Sequence, residues 1–297
     1  MEILTDHNPL GPYPEFNIEN DGQLDILFLG VGSAFARRHF QTSILITKGK
    51  THVLVDFGMD GPRALDAVGL SMANIVNFLP THSHSDHVGG IEALALYNRY
   101  VAQRFMNRPK LNCIITQEYQ RILWDYTLRG GLEWNEEQPD GRRRLGFGDF
   151  FNIITPRWKT SMPREIHEVG IGDLKLELFR TNHIPEQAPN WEASFVSYGL
   201  LIDDRVFYSS DSQFDLELLE LYANRRVVGV MSLLRIDHFF HDVQFFPGAV
   251  HTSLADLRTL PETIKKNMTL MHYSDEWEKH DIGNFGWAQQ GATYRFE

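Results

Sequence analysis

Apolar residues recur along the first third of the chain in short runs, at residues 24–29, 43–47, 52–56 and 75–79. Each has the length and the Leu, Ile, Val and Phe content of a sheet strand. Apolar residues that return every three or four positions predict helices over 61–68, 90–103 and 116–128. Strand-like runs resume at 174–180, 194–202, 206–209 and 227–231, followed by a helix near 254–260 and a strand at 268–271. Two clusters of strands with helices interspersed predict an α/β (α+β) chain, with sheets packed on each other and helices outside. Residues 1–22, where Pro9, Gly11, Pro12 and Pro14 stand among polar residues, read as an extended lead-in. The stretch 129–163 is richer in Gly, Arg, Asp, Glu and Pro and reads as a loop or insertion within a single domain spanning 23–297.

Composition narrows the function more than the fold. A chain of 297 residues, 42% hydrophobic and 23% charged, can bury one substantial core. No apolar run approaches the roughly 18 to 20 residues a membrane span requires. Residues 1–6 also lack the basic and apolar blocks of a signal peptide, so a cytoplasmic protein with no membrane partner is expected. The single cysteine, Cys113, sits in the apolar run 111–115 with no intrachain partner, which suits a reducing compartment and a core position. A formal charge of −11 argues against gripping long nucleic acid through a broad basic surface. A small anionic substrate remains open, because bound cations would dominate the local field.

The segment that carries chemistry is Thr81-His82-Ser83-His84-Ser85-Asp86-His87-Val88-Gly89-Gly90, which follows the run 75–79 and precedes the 90–103 helix. Four donors fall within six residues. Imidazole and carboxylate suit zinc and related first-row ions, and no packing requirement calls for three histidines and an aspartate at this spacing. Such a cluster cannot complete two metal sites, so further ligands are expected downstream at strand ends. His183 follows the run 174–180, Asp211 follows 206–209 and His272 follows 268–271. Asp56, which ends the run 52–56, is placed to support a histidine ligand through a hydrogen bond.

These residues resemble the metallo-β-lactamase superfamily, whose HxHxDH motif is matched in full by His82, His84, Asp86 and His87, and the resemblance runs from Leu24 to Ser274. It implies a four-layer αββα sandwich. It also implies two divalent metal ions, zinc first with manganese or iron(II) as alternatives. His82, His84 and His183 would hold one ion, Asp86, His87 and His272 the other, with Asp211 bridging. A water between the ions, deprotonated near neutral pH, would attack as hydroxide, with Asp86 part of the catalytic centre.

Within the superfamily the chain is similar to the branch of ribonuclease Z and cyclic nucleotide phosphodiesterases. The opening Leu27-Phe28-Leu29-Gly30-Val31-Gly32-Ser33, the pair of elements His241-Asp242 and His251-Thr252-Ser253, and Leu270-Met271-His272-Tyr273-Ser274 carry that similarity. His251 is the candidate general acid toward the leaving oxygen, and Asp242 is the carboxylate that orients it. The tRNA-processing members insert a long arm between the positions of His183 and Asp211, whereas only 28 positions separate them here. Asp275-Glu276-Trp277 also puts negative charge after the last motif. The resemblance therefore implies a small phosphodiester, such as a cyclic nucleotide, and a homodimer. Rival readings are a lactonase or thioesterase, a tRNA 3′-processing endonuclease and a non-catalytic nucleotide-binding sensor. Arg37, Arg38 and His39 are candidates to meet a ligand, the basic run 142–144 to draw in phosphate, and Trp134, Trp191 and Tyr198 to stack on a base.

Overall fold

Seven consecutive buried residues from Leu24 to Gly30, apolar or glycine apart from Asp25, mark a strand covered on both faces. The computed structural model containing it describes residues 1–4, 18–137, 141, 144–224 and 236–297, and the backbone alone at Ile3 and Leu4. Most of the 1–22 lead-in, the predicted strand 227–231, and Arg142 and Arg143 lie outside the described residues.

The chain divides into two compact units. The first comprises residues 2–30, 40–156 and 290–297, and the second residue 1, 31–39 and 157–289. Strands β1 (Glu2–Leu4), β2 (Leu24–Gly30), β3 (Ser43–Lys48), β4 (Thr51–Val55), β5 (Asn77–Leu79), β6 (Asn112–Ile114) and β7 (Asn152–Ile154) belong to the first unit. Strands β8 (Arg157–Thr160), β9 (Ile166–Ile171), β10 (Leu174–Arg180), β11 (Tyr198–Ile202), β12 (Val206–Tyr208), β13 (His238–Asp242), β14 (Met268–Met271) and β15 (Gly286–Trp287) belong to the second. The chain then returns to the first unit with β16 (Thr293–Phe296).

Each unit holds one eight-stranded sheet. The orders are β1-β16-β2-β3-β4-β5-β6-β7 and β15-β14-β13-β12-β11-β10-β9-β8. In both, an antiparallel set continues into a parallel one. The change falls at the β4/β5 pair in the first sheet and at β12/β13 in the second. Parallel neighbours bring their C-terminal ends to one edge of the sheet, which is where polar loops of an open α/β sheet converge.

Strand boundaries depart from the expectation where polar groups are needed elsewhere. The run 75–79 yields only the strand Asn77–Leu79, because Ser71 caps a 3-10 turn over Met72–Asn74. The run 194–202 pairs only from Tyr198, and the hydroxyls of Ser194 and Ser197 bond the loop at 181–184 instead. The helices predicted at 90–103 and 116–128 extend through π-helical turns to Met106 and Leu132. Residues 129–163, read as a loop, hold a short helix over Phe147–Phe150 and the edge strands β7 and β8. Cys113 is fully buried, and burial pushes its thiol pKa up, as befits a core residue.

Candidate metal centre

In the first unit, parallel β4 and β5 deliver Asp56 and Thr81 side by side. Asp56 accepts hydrogen bonds from the Thr81 backbone N–H (2.7 Å) and hydroxyl (2.8 Å), and its Oδ2 lies 2.8 Å from His87 Nδ1. Asp56 is fully buried, and burial pushes its carboxyl above the ordinary range, with His87 and Thr81 pulling the other way. The contact with His87 fixes that ring through Nδ1 and leaves Nε2 as its ligand atom. His87 Nε2 stands 3.3 Å from Asp86 Oδ2, and His82 Nε2 stands 3.1 Å from His84 Nδ1. Two ligand atoms at about 2.0–2.1 Å from one tetrahedral ion are separated by about 3.3 Å. Both pairs therefore have the spacing of neighbouring ligands.

Gly89 and Gly90 do not serve this loop through left-handed backbone, as a tight turn would suggest; both are right-handed helical. Their role is close approach. A Cβ on Gly90 would fall 2.4 Å from the Gly58 carbonyl oxygen, and one on Gly58 would fall 2.1 Å from that of Asp86. Absent side chains let the turn after β4 lie directly on the donor loop.

The second unit repeats the device along β10, β12, β13 and β14. His183 follows β10, and its Nδ1 lies 2.8 Å from the Val250 carbonyl, which again leaves Nε2 as ligand atom. That Nε2 is 3.7 Å from Asp211 Oδ2, while the other oxygen of Asp211 is 3.5 Å from His272 Nδ1. One carboxylate thus faces His272 through one oxygen and His183 through the other, which also lies 3.8 Å from His251 Nδ1. Asp242, buried at the end of β13, accepts from the Ser212 N–H (3.1 Å) and lies 3.0 Å from His251 Nδ1. Burial raises its carboxyl, but hydrogen bonds with His241 and His251 outweigh that and hold it below the ordinary range. Asp211, Asp242 and His251 form a group with donor atoms within 4.8 Å of one another.

Donor chemistry and fixed imidazole orientations in both units fit divalent cations. Several partners that hold His183, by its ring or its backbone, escape a sequence reading because they are backbone groups or polar loop side chains. The Val250 carbonyl holds His183, Ser194 Oγ accepts the His183 N–H (2.9 Å), and Gln213 donates to the His183 carbonyl (2.5 Å). A carbonyl carries no sequence signal.

Other candidates fare differently. Asp275 accepts from the backbone N–H of Arg37 and Arg38 (3.0–3.1 Å), and Arg38 forms a two-pronged pair with Glu278 (2.9 and 3.2 Å). The acidic residues after the last motif are therefore matched by the arginines after the glycine loop. Tyr198 is a core residue whose hydroxyl bonds Glu165, and Trp134 is exposed, with the Arg144 guanidinium 4.5 Å from its ring centre.

Two mixed sheets with His and Asp donors at strand ends define a metal-dependent hydrolase of the metallo-β-lactamase fold. Among solved structures, a diphosphatase of the PhnP family superposes with a TM-score of 0.64 at 14% identity, covering 92% of this chain and 98% of that one. The Bacillus subtilis metallo-β-lactamase fold protein YhfI does so with a TM-score of 0.62 at 14% identity, covering 92% and 100%. The chain belongs to the anti-Pycsar protein Apyc1 family, whose model matches residues 24–294. The anti-Pycsar protein Apyc1 of Paenibacillus xerothermodurans is 35% identical over 92% of this chain and 98% of its own length. That of Paenibacillus sp. (strain J14) is 36% identical over 91% and 98%.

Proposed function

We propose that the chain is a dinuclear metal-dependent phosphodiesterase that hydrolyses a small phosphodiester, a cyclic nucleotide. The reading rests above all on Asp211, whose two oxygens face His183 and His272 separately. In it, His82, His84 and His183 hold one cation, Asp86, His87 and His272 the other, and Asp211 spans both. Bound, the cations would lower the pKa of a water between them and neutralise charge on the phosphoryl oxygens. Imidazole-rich donors favour zinc over magnesium or calcium, with manganese and iron(II) as alternatives.

The chain's own groups do the remaining work. Asp56 and the Val250 carbonyl hold His87 and His183 in one ring orientation each. His251, a fifth exposed and aligned by Asp242, hands a proton to the oxygen that leaves phosphorus. Simple ester or lactone hydrolysis has less need of such a donor. Family membership supports the same branch. A homodimer in the cytoplasm completes the proposal; among the described residues no helix is long and apolar enough to cross a membrane.

The test joins metal quantification to turnover of a cyclic nucleotide panel. His251→Ala should lower kcat on a cyclic nucleotide by about 10²- to 10⁴-fold with metal content unchanged. Unchanged turnover, or a loaded protein that opens lactones and no phosphodiester, would reject the reading.

A further inference from the structure

His183 and His251 stand on different loops of the second unit, and one exposed carboxylate, that of Glu186, joins those loops. The later loop, residues 245–251, is closed at its base. There Gln244 pairs in parallel with Ser253, its N–H donates to the Thr252 carbonyl (2.8 Å), and its carbonyl accepts the Leu254 N–H (2.9 Å). The Gln244 side-chain amide pins the loop from within, donating to the carbonyls of Phe246 (2.9 Å) and Gly248. Beyond that pin the backbone turns through two successive left-handed residues, Gly248 at φ 79° and Ala249 at φ 66°. This conformation suits glycine and costs energy for alanine, so Ala249 stays in it only where its surroundings hold it. The turn delivers the Val250 carbonyl, 2.8 Å from His183 Nδ1, and His251 follows directly.

Glu186 supplies the hold. Its Oε1 accepts the Ala249 N–H at 2.8 Å, across 63 positions of sequence. A Cβ on Gly248 would come within 3.3 Å of the same oxygen, so the carboxylate lies close against the turn. Gln213 fixes the backbone on both sides of Glu186, donating to the Pro185 carbonyl (2.9 Å) and accepting the Gln187 N–H (3.2 Å). Two hydrogen bonds therefore run between the loops in opposite directions, Ala249 to Glu186 and His183 to Val250, and close them into a ring.

We propose that Glu186 is a positioning residue: by gripping the Ala249 amide it aims the Val250 carbonyl at His183 and fixes the segment that carries His251. This rests on the reading above, in which His183 is a ligand and His251 the proton donor. The grip needs an acceptor oxygen rather than a charge, because its partner is a neutral backbone N–H. An exposed hydrogen bond contributes modestly to overall stability, so its loss should be felt in the loop rather than in the fold.

The probe is Co²⁺, titrated into the whole metal-free protein against a chelator and followed by its visible absorption. Glu186→Ala should weaken one of the two bound equivalents at least about fivefold and leave the other within about twofold. Glu186→Gln, which keeps the acceptor, should stay within about twofold of the parent on both. The urea midpoint of Glu186→Ala should match the parent's. An affinity unmoved in Glu186→Ala overturns the proposal, and so does a Gln variant that falls as far as the Ala variant. Equal weakening of both equivalents, or a lowered urea midpoint, assigns the loss to folding and overturns it too. A parent that takes up two equivalents of Co²⁺ yet leaves cyclic nucleotides intact sinks the phosphodiesterase reading alone, and the metal titration still decides the role of Glu186.

Discussion

Asp56, Ser210 and His272 are non-glycine residues held at φ of 60°, 51° and 57°, a backbone region that costs energy for any residue with a side chain. Asp56 orients His87, Ser210 immediately precedes Asp211, and His272 is itself a proposed ligand, so local strain and donor geometry coincide. Such strain persists only where surroundings over-determine it, as the three hydrogen bonds on Asp56 do. Replacing Asp56 by alanine should therefore lower metal affinity by about 10- to 100-fold, read by competition with a chelator. An unchanged affinity would mean that His87 needs no partner to hold its ring. At this scale the sequence was most informative: the donors of the 82–87 cluster and Asp56 stand at motif positions and strand ends. What it concealed were the Val250 carbonyl, the Ser194 hydroxyl and the reason for Gly90, all of which depend on segments distant in sequence.

Among elements, legibility followed length and apolar content. Strands β2, β10 and β14 were plain, because large apolar side chains fill most of each run. β6 and β7 are three residues long and each opens on asparagine, a residue depleted in strands. The structure uses those asparagines as a ladder: Asn112 donates to Asn77 (2.9 Å) and Asn152 to Asn112 (3.2 Å), which fixes the parallel register. β13, with two histidines and a terminal aspartate, likewise hid its strand character. Its His238 is buried, contacts the Thr269 hydroxyl (2.8 Å), and is pushed down by burial to about 4. In the unfolded chain a histidine titrates near 6.5, so between about 6.5 and 4 the unfolded state binds the extra proton. Folding stability contributed by this site is then fully present above that window and lost as pH falls through it. Urea unfolding of His238→Gln should show a smaller loss between pH 7.5 and 5 than the parent, by about 2 kcal/mol. Equal losses would remove His238 as the cause.

For the whole molecule, the decisive quantity is charge. A net −11 on 297 residues, with Arg38 paired to Glu278 and Arg164 to Asp215 among the described residues, disfavours the displacement of counterions from a long polyanion. A tRNA-sized RNA should show no retention in a low-salt mobility assay under conditions where a cyclic nucleotide is turned over. Salt-sensitive RNA binding would reopen the tRNA reading. Membership of the superfamily was legible from one loop, yet the division into two units was not, since residues 31–39 and 290–297 each join a unit that most of their sequence neighbours do not.

The placement of β16 carries a further consequence. It lies between β1 and β2, antiparallel to both, although nearly the whole chain separates it from β2. During synthesis, β2 and β3 can pair as soon as they emerge, but the outer rim of β2 then waits through the production of both units for its neighbour. For that interval a row of unmatched amides and carbonyls is open to any passing strand. Deleting residues 293–297 would make the wait permanent, and the shortened chain should collect in inclusion bodies rather than as a soluble protein. A soluble, monodisperse product would show that the rim is guarded by something other than its own late partner.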